Sequence, residues 1–180
     1  FVNPAQTPGI GLSEEQAQLI DIAASFCRDK SPVDEVRALL EEDTGYNPDI
    51  WQEIAELGWL GIGIPDTYGG IGLGLGEIVP IVEQMGRNLL TTPYVSTVLA
   101  AQAVLRGGTE AQKSEILPKL ASGTAATLGF CEDHGDWNLS HVTCKCSVTG
   151  DKLALSGTKY LVSDVQEAAY MIATVAVGDQ

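Results

Sequence analysis

Residues 109–130, TEAQKSEILPKLASGTAATLGF, decide the fold class, because the hydrophobic period changes inside them. Thr109-Glu110-Ala111-Gln112 has the spacing of a capping box, in which the Thr109 hydroxyl and the Gln112 amide satisfy free N–H groups of a helix's first turn. Ile116, Leu117 and Leu120 follow at helical spacing. Ser122-Gly123 breaks that pattern, and Ala125 to Cys131 is a short apolar run of strand length. From His141 to Val148 the chain alternates. Val142, Cys144, Cys146 and Val148 fall on one face and His141, Thr143, Lys145 and Ser147 on the other, the pattern of a half-buried strand. Thr149-Gly150-Asp151 reads as a turn, Lys152 to Ser156 alternates again, and Tyr170 to Val177 reads as a further strand whose edge needs a partner.

Upstream of this change the chain reads as helices. Ser13-Glu14-Glu15-Gln16 is a capping box, followed by a stripe of Leu19, Ile22, Ala23 and Phe26. Ser31-Pro32 places Ser at the cap and Pro at the first helical position, with Asp34 and Glu35 in the electropositive first turn. Asn47-Pro48 repeats the device ahead of Ile50, Ile54 and Leu57. A helix from about Gly76 carries Ile78, Ile81, Val82, Met85 and Leu89 on one stripe, with Pro80 in its first turn. Thr92-Pro93 opens an apolar helix that runs to Leu105. A helical block followed by strands predicts an α+β fold: an N-terminal all-helical domain over 1–122, then an incomplete antiparallel β-domain over 123–180.

Composition narrows the function classes. Of 180 residues, 44% are hydrophobic and 19% charged, which supports a packed core. Ten Lys and Arg against 24 Asp and Glu give a net charge of −14, which repels nucleic-acid backbones and anionic membrane surfaces. The longest uncharged run, Asn88 to Leu105, is broken by Thr91, Thr92, Pro93, Ser96, Thr97 and Gln102, so it reads as a buried helix and not a membrane span. The first dozen residues show no signal peptide. Cys27, Cys131, Cys144 and Cys146 form no CxxC pair. With only His134 and His141 beside them, they read as reduced thiols of a cytoplasmic protein without a metal site. Residues 69–76, GGIGLGLG, fail the dinucleotide fingerprint, because Leu75 or Glu77 stands where the third glycine belongs and a turn precedes the run. They read as a loop whose backbone passes close to a neighbour. The start at Phe1 and the end at Gln180, just after a strand-like run, are read as cuts within a longer polypeptide.

Four segments, in order, resemble the acyl-CoA dehydrogenase family. They are Leu57-Gly58-Trp59-Leu60-Gly61-Ile62-Gly63-Ile64-Pro65 with Tyr68-Gly69-Gly70; Glu83-Gln84-Met85-Gly86-Arg87; Gly108-Thr109-Glu110-Ala111-Gln112-Lys113 with Leu117-Pro118-Lys119-Leu120-Ala121-Ser122-Gly123; and Leu155-Ser156-Gly157-Thr158-Lys159 with Val162-Ser163-Asp164 and Ala168. The resemblance covers nearly the whole chain. It implies an N-terminal helical domain, a middle β-domain and a C-terminal helical bundle that is absent from this sequence. It further implies FAD as cofactor, α,β-dehydrogenation of an acyl-CoA thioester, an electron-transfer flavoprotein as acceptor, and assembly with like or unlike chains of the family. Fatty-acid or steroid side-chain metabolism is the implied setting.

Carried over position by position, the resemblance places a flavin-binding loop at Phe130, Cys131, Gly135 and Asp136, with Cys131 where the family has Thr and Asp133 where it has Pro. It places Leu161, Val162 and Ser163 at the flavin, Leu161 standing for an aromatic residue and Ser163 keeping a hydroxyl. Val95, Val98 and Leu99 fall on the helix that lines the acyl pocket. No catalytic residue is assigned: the family's base lies in the C-terminal domain, and neither Glu83 nor Glu132 is promoted to that role. Three readings stay open from the sequence. The chain is the N-terminal half of an active dehydrogenase, a degenerate partner subunit with an impaired flavin site, or an assembly module without redox chemistry. The altered loop and Leu161 favour a subunit of a dehydrogenase complex.

Overall fold

The structure is a computed structural model that describes residues 13–42, 44–149 and 152–177, apart from the side chain of Thr149. Its elements run α1 (Glu14–Lys30), α2 (Val33–Leu39), α3 (Pro48–Glu56), α4 (Leu75–Arg87), α5 (Tyr94–Gly107), α6 (Glu110–Ala121), β1 (Ala126–Gly129), β2 (Lys145–Thr149), β3 (Lys152–Ser156), β4 (Tyr170–Ala173) and β5 (Ala176–Val177). Contacts group them into two units, Phe1–Asn47 with Leu73–Thr91, and Pro48–Gly72 with Thr92–Gln180.

The first unit holds α1, α2 and α4. The Ser13 capping box forms as expected: Gln16 N donates to Ser13 Oγ at 3.1 Å, and Ser13 N donates to Gln16 Oε1 at 3.1 Å. α1 packs on α4. It buries Ala23 and Cys27, while Ile22 of the expected stripe is exposed. The small side chains of Ala23 and Cys27 take the contact line. α4 buries Ile78, Ile81 and Met85. Its start is fastened by Glu77, which accepts from Gly74 N at 3.0 Å and from Gln16 Nε2 at 3.2 Å. Further details of this unit differ from the sequence reading. Pro80 lies one turn further in, since α4 begins at Leu75. Leu89 lies beyond the helix end with φ +56° and is exposed. At α2, Pro32 and not Ser31 is the capping residue, with no side-chain cap.

In the second unit, α5, α6 and β1 pack around a core of Ile64, Ala100, Ala101, Val104, Leu117, Leu120 and Ala126, while α3 buries Ile50, Trp51 and Ile54. Ala100 and Ala101 bring α5 close to β1. There the Thr97 hydroxyl donates to Ala126 O at 3.3 Å and accepts from Ala126 N at 3.1 Å. Tyr94 is fully buried, and its hydroxyl donates to Trp59 O at 3.1 Å. The Thr109 box caps α6 as expected. Thr92 does not cap α5; Pro93 holds that position, and Thr92 Oγ1 is buried without a partner among the described residues. The glycine-rich loop makes the close approach foreseen for it. A Cβ on Gly70 would lie 2.0 Å from Ile64 O, Ile71 N donates to Gly61 O at 2.8 Å, and Gly72 N donates to Ile64 O at 2.8 Å.

The α+β class holds, with helices preceding strands. The pairing departs from a purely antiparallel domain. β2 and β3 are antiparallel (Lys145↔Ser156 to Thr149↔Lys152), but β1 and β4 are parallel (Ala126↔Tyr170 to Gly129↔Ala173), as are β2 and β5 (Lys145↔Ala176). The run from Tyr170 to Val177 breaks at Thr174-Val175 and serves two sheets: Thr174 N donates to Gly129 O at 3.2 Å, Ala176 N to Cys144 O at 2.8 Å. β2 also starts four residues later than the alternation suggests. The Glu132 carboxylate takes the N–H groups of Thr143 (2.8 Å) and Cys144 (3.1 Å), which a longer strand would have offered to a neighbour. Cys144 and Cys146 are buried, whereas Val148 is exposed. Residues 150 and 151 of the expected turn lie outside the described residues. No helix among the described residues is long and apolar enough to cross a membrane.

Candidate functional site

A cleft of about 590 Å³ opens in the second unit, where the first turns of α5 meet the end of β1 and two loops. On α5, Val95 and Leu99 are one turn apart and face outward, and Ser96 stands beside them. β1 contributes Thr127 and Leu128; the loop after it contributes Phe130, Cys131 and Trp137; the segment before β4 contributes Leu161, Ser163 and Asp164.

Two hydrogen bonds hold that last segment in place. The Thr127 hydroxyl donates to Ser163 O at 2.6 Å. The Ser96 hydroxyl donates to Asp164 Oδ2 at 2.5 Å and lies 3.1 Å from Pro93 O. Both ends of the segment are left-handed, Leu161 at φ +52° and Asp164 at φ +54°. Asp tolerates that region, while for Leu it costs about 1–2 kcal/mol. Leu161 is nonetheless 93% exposed, and Trp137, whose ring centroid is 5.5 Å from that of Phe130, is 78% exposed. Two large apolar side chains left in water at the rim of an apolar cleft mark a surface that binds something.

Of the residues singled out in the sequence, Phe130, Cys131, Leu161, Ser163, Val95 and Leu99 all line this cleft. Val98 turns inward and is buried. Val162 is half-buried and is not part of the wall. Gly135 and Asp136 lie on the same loop but away from the wall. Gly135 has φ +64° and donates its N–H to Glu132 O at 2.9 Å. Asp136 accepts from Asn138 N at 2.8 Å and pairs with His141; the Asn138 N–H first, and then His141, hold its carboxyl below the usual range. Sequence reasoning missed Trp137, Ser96, Asp164, Thr127 and Leu128. Trp137 had a legible signal, a large aromatic residue in a polar loop. The others depend on which side of an element meets the cleft.

The loop bearing Phe130, Cys131 and Trp137 is anchored from beneath. Lys159 Nζ donates to Glu132 Oε1 at 2.7 Å, to Thr174 Oγ1 at 2.8 Å and to Phe130 O at 3.5 Å. Glu132 also accepts from the Thr143 hydroxyl, Thr143 N and Cys144 N. Lys159 above all, then Thr143, holds the Glu132 carboxyl far below the ordinary carboxylate range. A carboxylate so engaged is a poor proton acceptor. Burial pushes the Cys144 thiol up. Among the described residues no group of three or more His, Cys, Asp or Glu side chains could hold a metal ion.

The family model for the acyl-CoA dehydrogenase N-terminal domain matches residues 13–124. Mitochondrial isovaleryl-CoA dehydrogenase from Bos taurus is 29% identical over 166 residues, 90% of this chain and 39% of that protein. Acyl-CoA dehydrogenase IpdE2 from Mycolicibacterium smegmatis is 33% identical over 113 residues, 62% of this chain and 35% of that protein. A solved structure of a variant of the Tcur3481-Tcur3483 steroid ACAD superposes with a TM-score of 0.85 at 30% identity, covering 92% of this chain and 46% of that one. This chain therefore spans less than half the length of these relatives, and it belongs to the acyl-CoA dehydrogenase family.

Proposed function

We propose that this chain forms part of an FAD-dependent acyl-CoA dehydrogenase, which removes hydrogen across the α,β bond of an acyl-CoA thioester. The observation that carries this reading is convergence: Phe130, Cys131, Leu161 and Ser163, expected at a flavin, and Val95 and Leu99, expected at an acyl group, wall the same cleft. Bound FAD supplies a two-electron acceptor for the hydride that leaves the β-carbon. The residues present fit such a group. Leu128, Phe130 and Leu161 offer apolar surface to a flat ring system, and the exposed Ser163 hydroxyl, without a protein partner among the described residues, can donate to a ring heteroatom. Cys131 donates more weakly than the Thr it replaces. Glu132 is consumed by Lys159, and Glu83, in an exposed pair with Arg87, is not among the residues that line the cleft, so neither is assigned as the base for the α-proton. That base is assigned outside residues 1–180, as the family resemblance implies.

In this reading residues 1–122 are the helical domain and 123–180 the first part of the β-domain, and the family match ending at 124 supports that boundary. A fatty or steroid side-chain acyl-CoA is the substrate class, the neighbour named as a steroid ACAD supporting the second. An electron-transfer flavoprotein takes the electrons, and further chains of the family complete the oligomer. Four free cysteines support a cytoplasmic setting. Flavin absorbance of the purified intact protein, and its bleaching by acyl-CoA without oxygen, test the reading; a protein that binds neither FAD nor acyl-CoA, alone or with a co-purifying chain, refutes it.

A second reading, the partner subunit with an impaired flavin site, is favoured by Cys131 and by Leu161, the residue that stands where the family has an aromatic ring. It expects colourless protein that acquires FAD only with a second polypeptide.

A further inference from the structure

We propose that Asp164 and Ser96 form a polar selector inside this cleft, so that it takes an acyl group bearing a hydrogen-bond donor and rejects one bearing an anionic group. This selectivity rests on the reading of the cleft as that of an acyl-CoA dehydrogenase.

Asp164 is the one acidic residue on the cleft wall; Val95, Leu99, Leu128, Phe130, Trp137 and Leu161 make the rest of it largely apolar. Its Oδ2 is taken by Ser96, and its Oδ1 has no protein partner among the described residues. The carboxylate is not needed for the local turn, because that turn is closed by the backbone: Glu167 N donates to Asp164 O at 3.2 Å. Nor is it free to swing away. Ser163 O is held by Thr127 on one side and Asp164 Oδ2 by Ser96 on the other, and Ser96 is itself buried. The structure thus presents an oriented acceptor to whatever fills an apolar cleft.

A carboxylate accepts hydrogen bonds and donates none. A ligand hydroxyl or amide N–H placed against Oδ1 satisfies it, a purely aliphatic ligand strips its water without replacement, and a second carboxylate adds like-charge repulsion. Asp164 is itself exposed on the cleft wall, so its discrimination arises when a bound ligand covers it and its carboxylate must then be paired; that exceeds what one methylene more or less achieves in an apolar pocket.

The test is calorimetric titration of the intact protein with matched acyl-CoA thioesters at several chain lengths: plain, ω-hydroxy and ω-carboxy. At the length that reaches Asp164, the hydroxy compound binds tighter than the plain one, and the carboxy compound binds ~tenfold or more weaker. In D164N, which keeps the side-chain shape and tolerates the same backbone, the carboxy penalty falls to about twofold. S96A leaves the charge in place but removes the bond that orients it, so the carboxy penalty stays while the advantage of the hydroxy compound over the plain one is lost; an advantage unchanged in S96A overturns the selector. Equal binding of the carboxy and plain compounds at every length overturns the selector, as does a penalty unchanged in a folded D164N; in both cases binding of plain acyl-CoA leaves the dehydrogenase reading standing. Failure of every acyl-CoA to bind overturns both. Should D164N fail to fold by circular dichroism, the wild-type length series and S96A decide.

Discussion

Lys159 Nζ lies 2.7 Å from Glu132 Oε1, in an ion pair whose side chains keep only 5% and 3% of their surface exposed. The pair joins the segment after β3 to the loop that carries Phe130, Cys131 and Trp137, and through Thr174 it reaches the break between β4 and β5. Removing one partner of a buried pair leaves an uncompensated charge, which destabilises more than removing both. K159M is expected to lower the melting temperature by roughly 5 °C or more. Adding E132Q to K159M should recover part of that loss, giving a double mutant better than the sum of the singles. Thermal melts by circular dichroism check both.

The same carboxylate makes acid stability specific. Glu132 titrates lower in the folded chain than in the unfolded one, where a Glu carboxyl stands at about 4.3. Its contribution is therefore fully present above that value and is lost as the pH falls toward its folded value. The stability gap between wild type and E132Q should be constant above about pH 5 and shrink below about pH 4. Denaturant unfolding at a series of pH values measures it, and a gap that widens on acidification contradicts the assignment.

Two glycines should respond in opposite directions to alanine. At Gly70 the added methyl meets the Ile64 carbonyl at 2.0 Å, a backbone atom that cannot give way without breaking the bond it accepts from Gly72 N. G70A is expected to cost about 3 kcal/mol or more. At Gly86, inside α4, nothing lies within 4 Å, so G86A should stabilise by about 0.5–1 kcal/mol. Equilibrium unfolding of both variants provides the contrast.

Leu161 and Trp137 should separate stability from binding. L161N places a residue suited to φ +52° and should leave stability unchanged or raise it by about 0.5–1 kcal/mol, while weakening cofactor binding. W137A removes a mostly exposed ring and should barely move the melting temperature, yet weaken occupancy of the cleft by about tenfold. Melts together with titrations of FAD and acyl-CoA into the intact protein read both effects.

The helices, their caps and the switch from helical to strand period were legible because they depend on neighbours a few residues apart. The boxes at Ser13 and Thr109 and the stripe Ile78, Ile81, Met85 are set by local geometry. The family, too, was legible, because its segments survive as short runs in order. What the sequence could not determine depends on partners far along the chain. β2 starts late because Glu132, thirteen residues before it, takes its amides. The last strand divides because Gly129 and Cys144 claim its two halves. The cleft shows the same division. Resemblance pointed to Cys131, Leu161 and Ser163, but only the packing of α5 on β1 turned Ser96 toward Asp164, 68 residues away. A periodic pattern tells which face of an element is apolar; which polar atom meets which across the fold is settled only when desolvated donors and acceptors must find each other.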